Sequence, residues 1–348
     1  MGRLPCGLIG AGHFFNYAYL PALNHKNSPL VISGILTRGQ NQFELARQGL
    51  RYATKYFSDF DELLDSGIKA VLILLPNHLH AEFARKALEK GVHVFCEKPL
   101  ASDVSGAFAL KAIAKKSGRV LMVDFNERYF DRNHVLKKII TEGRIGKIMS
   151  VQAFHNQDLR QLSSFASLHR NLTGGGVIHN AGIHFINLFL NWFGRPERVH
   201  AVFENRALPA ECGEDTARCQ FWFPGGLTAT LDASLANAAD TTYERVQFTS
   251  EDGEITSDLK KSDILLRRPP AKRQLHITCK KEIISDSVFN ALAAFARCVQ
   301  TGSKPETDVD DFIETMKVIE ALTLSAQRGA EVRLEEIERR YASRNHTL

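Results

Sequence analysis

The stretch Leu4-Pro5-Cys6-Gly7-Leu8-Ile9-Gly10-Ala11-Gly12 decides the fold class. Leu4–Ile9 is short, apolar and bounded by glycine, which reads as a buried strand. Gly10-Ala11-Gly12 then reads as the turn that opens a helix. The first glycine permits the tight turn, and the second lets backbone approach a pyrophosphate. The unpaired N–H groups of the helix start would face that anion. The third glycine of the usual fingerprint is missing, because Phe15 occupies its place. A lone Gly-x-Gly pair also occurs at ordinary strand–helix turns. What lifts this one is its context, at the head of an alternating α/β pattern.

That pattern continues outward. Leu30–Thr37, Ala70–Leu75, Val92–Cys96 and Arg119–Phe125 read as further strands. Ala70–Leu75 is apolar throughout, as a strand covered on both faces would be. His78–Lys90 places Phe83, Ala84, Ala87 and Leu88 at helical spacing. Strands alternating with helices imply right-handed crossovers and a parallel sheet. After Asp131 the character changes. A helix at Asp131–Glu142, a turn at Gly143–Gly146 and a strand at Lys147–His155 are followed by a polar, aromatic loop over 156–173. Ile178–Phe193 reads as helical. From Arg198 to Leu266 several β-type runs follow one another, separated by Pro224-Gly225-Gly226 and Glu251-Asp252-Gly253, which argues for an antiparallel sheet. Helices at Ser287–Thr301 and Val309–Gln327 end the fold, the second burying Phe312, Met316, Ile319 and Leu322 as one stripe. Arg339–Leu348 reads as a loose tail. The expectation is two domains, a dinucleotide-binding Rossmann domain over residues 1–125 and an α+β domain over residues 126–348.

Composition narrows the function classes. The chain has 348 residues, 44% hydrophobic and 24% charged, as a folded globular protein does. Its longest unbroken apolar run, Ala70–Leu75, falls far short of the roughly 20 residues that cross a bilayer. The opening residues carry no signal-peptide pattern. Six cysteines without a CxxC pair read as reduced thiols, so a cytoplasmic location is expected. A net charge of +5 accommodates an anionic small ligand but is too mild for a nucleic-acid partner. His179 and His184 are five residues apart and do not share a helix face, so no metal site is expected.

The end of the second strand bears on the cofactor. NAD-binding domains place a carboxylate there to accept the ribose hydroxyls. Here Gly34-Ile35-Leu36 runs into Thr37-Arg38. A carboxylate would repel a 2′-phosphate, whereas Thr37 can hydrogen-bond it and Arg38 can pair with it. NADP is expected over NAD, with NAD as the alternative.

Two later turns carry a resemblance. Leu75-Pro76-Asn77-His78-Leu79-His80 ends one strand and Cys96-Glu97-Lys98-Pro99 ends the next. With Val123-Asp124-Phe125-Asn126-Glu127-Arg128-Tyr129, Gly143-Arg144-Ile145-Gly146 and Gly174-Gly175-Gly176 through Gly182-Ile183-His184, they resemble the Gfo/Idh/MocA oxidoreductases over nearly the whole chain. The resemblance implies a Rossmann domain joined to a domain with an open-faced, mostly antiparallel sheet, an active site in the cleft between them, and homodimers or homotetramers. It makes Lys98 and His184 the catalytic pair. Lys98 would touch nicotinamide ribose and substrate and stabilise a developing alkoxide. His184 would give and take the proton. Glu97 would orient Lys98 or the ribose, and the Lys98–Pro99 bond would be cis. Gly10, Gly12, His13, Phe14, Thr37, Arg38, Pro76, Asn77, His80, Glu97, Lys98 and Asn126 are the cofactor contacts so implied. Lys98, Arg128, Arg170, Asn180 and His184 are the substrate contacts. The chain departs from the family pattern at Asn180 and Asn187, where Asp is usual. Asn cannot ionise, so Asn180 can bind a hydroxyl but not act as a base.

These residues support an NAD(P)-dependent oxidoreductase acting on a carbinol or keto carbon of a sugar, nucleotide-linked sugar or cyclitol. Asn180 keeps a non-catalytic dinucleotide-binding regulator open. A third alternative keeps the chemistry but replaces the sugar with a bile pigment or aromatic dihydrodiol. The polar set Asn126, Arg128, Asn156, Arg170, Asn180 and His184 favours a hydroxylated ligand over a flat apolar one.

Overall fold

A computed structural model describes residues 2–52, 54–160, 175–237, 243–258, 263–268 and 274–342. The chain divides into two compact units, Met1–Phe130 with Glu282–Ile313, and Asp131–Lys281 with Glu314–Leu348.

The first unit carries six parallel strands: β1 (Leu4–Ile9), β2 (Leu30–Leu36), β3 (Lys55–Phe57), β4 (Ala70–Ile73), β5 (His93–Glu97) and β6 (Leu121–Asp124). Their order is β3-β2-β1-β4-β5-β6, the doubly wound Rossmann order. Every residue of β4 is buried, as its unbroken apolar run requires. Helices alternate with the strands and are punctuated by local chemistry. Asp59 and Asp103 accept from the backbone N–H of Glu62 and Gly106, and Gly118 ends its helix in the left-handed region. The strand order reverses between β1 and β4, so their carboxyl ends flank the crevice where such sheets bind ligands.

The first unit departs from the sequence reading at its end. The helix Ile284–Thr301, expected in the second domain, belongs to the first unit. Its Val288, Ala291, Leu292, Phe295 and Ala296 are buried in one cluster with Cys6, Leu8, Phe15, Tyr19 and Phe95. The Phe95 and Phe295 rings meet edge to face with centroids 5.4 Å apart. Each such buried side chain contributes roughly 1.5–3 kcal/mol, so hydrophobic burial overrides sequence proximity. Beyond the helix, the Val123 N–H donates to the Thr307 carbonyl (2.8 Å) and the Thr307 hydroxyl to the Val123 carbonyl (2.7 Å). These bonds protect the edge strand β6.

The second unit holds β7 (Ile148–Asn156), β8 (Arg198–Glu204), β9 (Thr216–Trp222), β10 (Thr228–Ser234), β11 (Tyr243–Ser250), β12 (Gly253–Asp258), β13 (Asp263–Arg267), β14 (Gln274–Thr278) and β15 (Val332–Arg333). They form one mixed sheet, β14-β13-β12-β11-β7-β10-β9-β8-β15. All pairs are antiparallel except β7 with β10. Period-two alternation gives the sheet two characters: Ala229, Leu231 and Ala233 of β10 are buried, while Thr228, Thr230, Asp232 and Ser234 are not. The apolar face meets the helix Ile183–Phe193 through Phe189 on Phe221 and Trp192 on Phe248, both with centroids 5.4 Å apart. The stripe Phe312, Met316, Ile319 and Leu322 is buried on the helix Val309–Arg328. A helix at Leu334–Ala342 replaces the first part of the expected tail, because Leu334 and Ile337 are buried. Residues 343–348 lie outside the described residues.

Candidate active site

In the first unit, most of the expected cofactor residues gather at the carboxyl ends of β1, β2, β4, β5 and β6. Gly10 has φ +88°, and a Cβ there would stand 2.5 Å from the Leu74 carbonyl oxygen, so only glycine fits. Gly12 differs. No protein atom lies within 4 Å of where its Cβ would be, so the chain's own packing does not require glycine there. A helical stretch over 13–23 follows, with a π-helical segment at Phe15–Tyr19. Phe15, standing in for the third glycine, is 1% exposed and packs in the core. His13 and Phe14 are exposed beside the turn, as are Pro76 and, in part, Asn77 beside β4. A glycine cradle, a helix start and exposed turn residues fit a dinucleotide pyrophosphate.

Thr37 and Arg38 follow β2. The Thr37 hydroxyl already donates to the Gly39 carbonyl at 2.9 Å. In this arrangement its one proton is engaged inside the turn. Arg38 is exposed, and no carboxylate among the described residues pairs with it.

Lys98 follows β5 and is half-buried. Burial pushes its ammonium pKa down, while Glu97 and Asp124 pull the other way. Glu97 accepts from the Lys98 backbone N–H (3.1 Å) through one oxygen and from the Tyr19 hydroxyl (2.8 Å) through the other. Tyr19 also stands 2.5 Å from Asp124 Oδ2. Glu97 and Asp124 are register neighbours on β5 and β6, so two acidic side chains share one end of the sheet. Neither Tyr19 nor Asp124 was singled out by sequence reasoning, although two acids closing adjacent strands was a usable signal. The Lys98–Pro99 peptide is cis.

Three expected contacts have other tasks. His80 is fully buried, with Nδ1 2.7 Å from the Pro99 carbonyl oxygen and Nε2 2.6 Å from that of Leu75. Both ring nitrogens are committed to the two turns, so His80 ties them together. Arg128 is buried between Glu306 (3.0 Å) and Asp311 (3.2 Å), which gives its charge a structural task within this unit. Asn126 is buried and donates to the Ser287 hydroxyl at 3.4 Å.

In the second unit, Gly175 and Gly176 take φ +74° and +72°, and a Cβ on Gly176 would collide with the Glu214 carboxylate. That carboxylate accepts from the Ile178 N–H at 3.2 Å, at the head of a π-helical turn over Ile178–Gly182. The helix Ile183–Phe193 continues from it. Asn180 and His184 are four apart across this junction, and both are half-buried. π-Turns inside helices recur at functional sites. Asn187 is fully buried and donates to the Thr315 hydroxyl at 3.0 Å, which makes it a structural residue. Asn156 is a correction. It lines a polar depression of about 300 Å³ with Arg206, Arg218, Asp232 and Ser234, whereas its neighbour His155 faces the helix and touches Phe185. Alternation along β7 therefore puts Asn156 on the sheet face opposite the helix that carries His184. His155, whose Nδ1 lies 2.9 Å from Glu244 Oε1, was not foreseen. Arg170 and Gly174 lie outside the described residues. All six cysteines are free and buried, and no helix among the described residues is long and apolar enough to cross a membrane.

Two family models match the chain: the oxidoreductase family with an NAD-binding Rossmann fold over residues 4–125, and the GFO/IDH/MocA C-terminal domain over residues 134–256. The chain belongs to the Gfo/Idh/MocA family. It is thus an oxidoreductase of the NAD(P)-binding Rossmann type. Over 336 residues it is 27% identical to D-xylose 1-dehydrogenase (NADP(+)) 2 of Haloferax volcanii, covering 94% of this chain and 99% of that protein. It is 26% identical to 1,5-anhydro-D-fructose reductase of Ensifer adhaerens, covering 83% and 89%. Among solved structures, levoglucosan dehydrogenase in complex with NADH and levoglucosan superimposes with a TM-score of 0.83 at 23% identity, covering 95% and 99%. An oxidoreductase domain protein from Kribbella flavida gives 0.86 at 23%, covering 96% and 100%. At that identity the structures speak to the fold.

Proposed function

We propose that this Gfo/Idh/MocA member is an NADP-dependent dehydrogenase or reductase of a sugar-like alcohol, working in the cytoplasm as a homodimer or homotetramer. The observation that carries the reading is Lys98, half-buried at the carboxyl end of β5 and held through Glu97. A nicotinamide dinucleotide held at this end of the sheet would supply the hydride chemistry. Lys98 stabilises charge developing on the substrate oxygen. Burial leaves its ammonium easier to deprotonate, so it can also hand on a proton. His184, four residues after Asn180, gives and takes the carbinol proton. Asn180 offers an amide that both donates to and accepts from a hydroxyl, which suits a polyol. The relatives' names support the class: xylose and anhydrofructose are sugar substrates, and the Haloferax enzyme is named for NADP.

A panel of aldoses, anhydrosugars, cyclitols and nucleotide-linked sugars with NADP and NAD tests this, read by absorbance of the reduced nicotinamide. Lys98→Met is expected to cut turnover by at least about 10²-fold while leaving NADPH affinity within about threefold. Turnover near the wild-type rate in that variant would overturn the assignment. Asn180 favours one competing reading, a dinucleotide-binding regulator, which tight NADPH binding without turnover across the panel would select.

A further inference from the structure

The carboxylate of Glu214 stands at the start of the helical segment that carries Asn180 and His184, and no family resemblance gives it a task. Glu214 is half-buried, between the short turn Ala210–Cys212 and β9. Two consecutive N–H groups of the segment end on this one residue. The Val177 N–H donates to its backbone carbonyl at 2.8 Å, and the Ile178 N–H to its Oε1 at 3.2 Å. The first N–H groups of a helix have no partner within it, so an acceptor outside must take them.

Glycine makes the approach possible. Gly176 has φ +72°, and its missing Cβ leaves the space that the Glu214 carboxylate fills. Gly213 has φ +83°, and a Cβ there would stand 2.9 Å from the Gly176 nitrogen. The two backbones therefore meet with no side chain between them. The base under Glu214 is fixed on both sides. Asn205 Nδ2 donates to the Gly213 carbonyl at 2.6 Å. The Asp215 N–H donates to the Glu204 carbonyl at 3.0 Å, and the Asp215 carbonyl accepts from the Leu235 N–H at 2.8 Å.

The segment above it is wound in an uncommon way. The Ile183 N–H donates to the Ile178 carbonyl, five residues back. Ile178 is thus held at its N–H by Glu214 and at its C=O by the π-helical turn. Such turns are rare, and they give the residues around them a phase that an unbroken α-helix would not. Asn180 lies within the turn and His184 just beyond it.

We propose that Glu214 is a positioning residue for Asn180 and His184: its reach to the Ile178 N–H fixes the π-helical turn from which both side chains are aimed. The proposal rests on the reading of those two residues as the hydroxyl and proton partners of the substrate. What the turn requires is an acceptor oxygen at the length of a glutamyl side chain, not its charge. A misplacement of about 1 Å costs up to roughly 10²-fold in rate, so the effect belongs on kcat.

Two substitutions in the full chain separate reach from charge. Glu214→Gln keeps an oxygen at the same length. Glu214→Asp keeps the charge and withdraws the oxygen by one methylene, about 1.5 Å. Amide exchange at Ile178 and the NMR resonances of the Asn180 amide and the His184 ring are read without substrate. In Glu214→Asp, Ile178 is expected to exchange roughly tenfold faster, and both side-chain resonances to move. Its kcat on a sugar found by the panel should fall roughly tenfold, with KM within about threefold. Glu214→Gln should stay within about threefold of wild type in exchange and kcat, with both resonances in place. A cap that only stabilises the fold would lower the urea midpoint of Glu214→Asp and leave kcat and both resonances unmoved, which would overturn the proposal. So would any outcome in which Glu214→Gln is no closer to wild type than Glu214→Asp in exchange and resonances. If no sugar in the panel turns over, the sugar reading fails, and exchange and resonances still decide for or against Glu214.

Discussion

Replacing Arg38 with alanine tests cofactor choice at the end of β2. The Thr37 hydroxyl is spent on Gly39, so Arg38 is the group left to grip a 2′-phosphate. Arg47, on the following helix, is already engaged, its guanidinium 2.7 Å from Glu44. A well-formed charge-assisted hydrogen bond contributes about 1.5–3 kcal/mol. Arg38 is exposed, so water and salt screen it and the lower end applies. At about 1.4 kcal/mol per decade, Arg38→Ala should weaken NADPH roughly tenfold. NADH, which lacks the phosphate, should bind within about twofold of wild type. Thr37→Val should change NADPH affinity by less than about threefold, since the lost proton never reached the cofactor. The tenfold difference should shrink as salt rises from about 0.1 M to 1 M, where the Debye length falls from about 10 to 3 Å. Fluorescence titration of both reduced cofactors against the three proteins measures all of this. A wild type that prefers NADH, or an Arg38→Ala variant that loses both cofactors equally, refutes the phosphate clamp.

Five of the six strands of the first sheet were legible because they are largely buried and written as mainly apolar runs, while the short, exposed to half-buried edge strand β3 was missed. Leu4–Ile9 and Ala70–Ile73 illustrate the apolar runs. The partner of the helix Ile284–Thr301 was not legible. Its apolar stripe announces that it is buried but not against which sheet, and only the assembled cluster with Phe15 and Phe95 decides. Single residues divide in the same way. Lys98 and Gly10 could be placed because a turn after a strand fixes where a side chain or a missing Cβ must be. His80 and Arg128 could not, since their partners, the Pro99 carbonyl, Glu306 and Asp311, lie 19, 178 and 183 positions away in sequence. Tyr19 was hidden for a different reason. A π-helical segment shifts side-chain phase relative to the 3.6-residue period, so helical spacing misplaces it.

Two further predictions concern stability. Asp215 is fully buried and its Oδ2 accepts from the backbone N–H of Arg206, Ala207 and Leu208 at 2.9, 2.7 and 2.9 Å. Burial pushes its carboxyl up, but these N–H groups and the Thr216 hydroxyl outweigh that and leave the pKa lowered. Asp215→Ala should therefore cost about 3 kcal/mol in urea unfolding, and the wild-type contribution should be present above about pH 4 and fade as pH falls below it. The same direction applies to His93, at higher pH. Burial, then Arg119, lowers its pKa to about 4, and its Nδ1 accepts from the Val120 N–H at 2.9 Å, a bond that protonation at that nitrogen would break. In the unfolded chain the same imidazole titrates near 6.5. Between those values the unfolded state binds the extra proton, so stability is full above about pH 6.5 and declines as the pH falls towards 4. His93→Gln cannot take up that proton, so its unfolding free energy should fall less steeply across this window. Parallel slopes for the two proteins between pH 6.5 and 4 would show that His93 is as easily protonated folded as unfolded, and would remove the Val120 bond from the account.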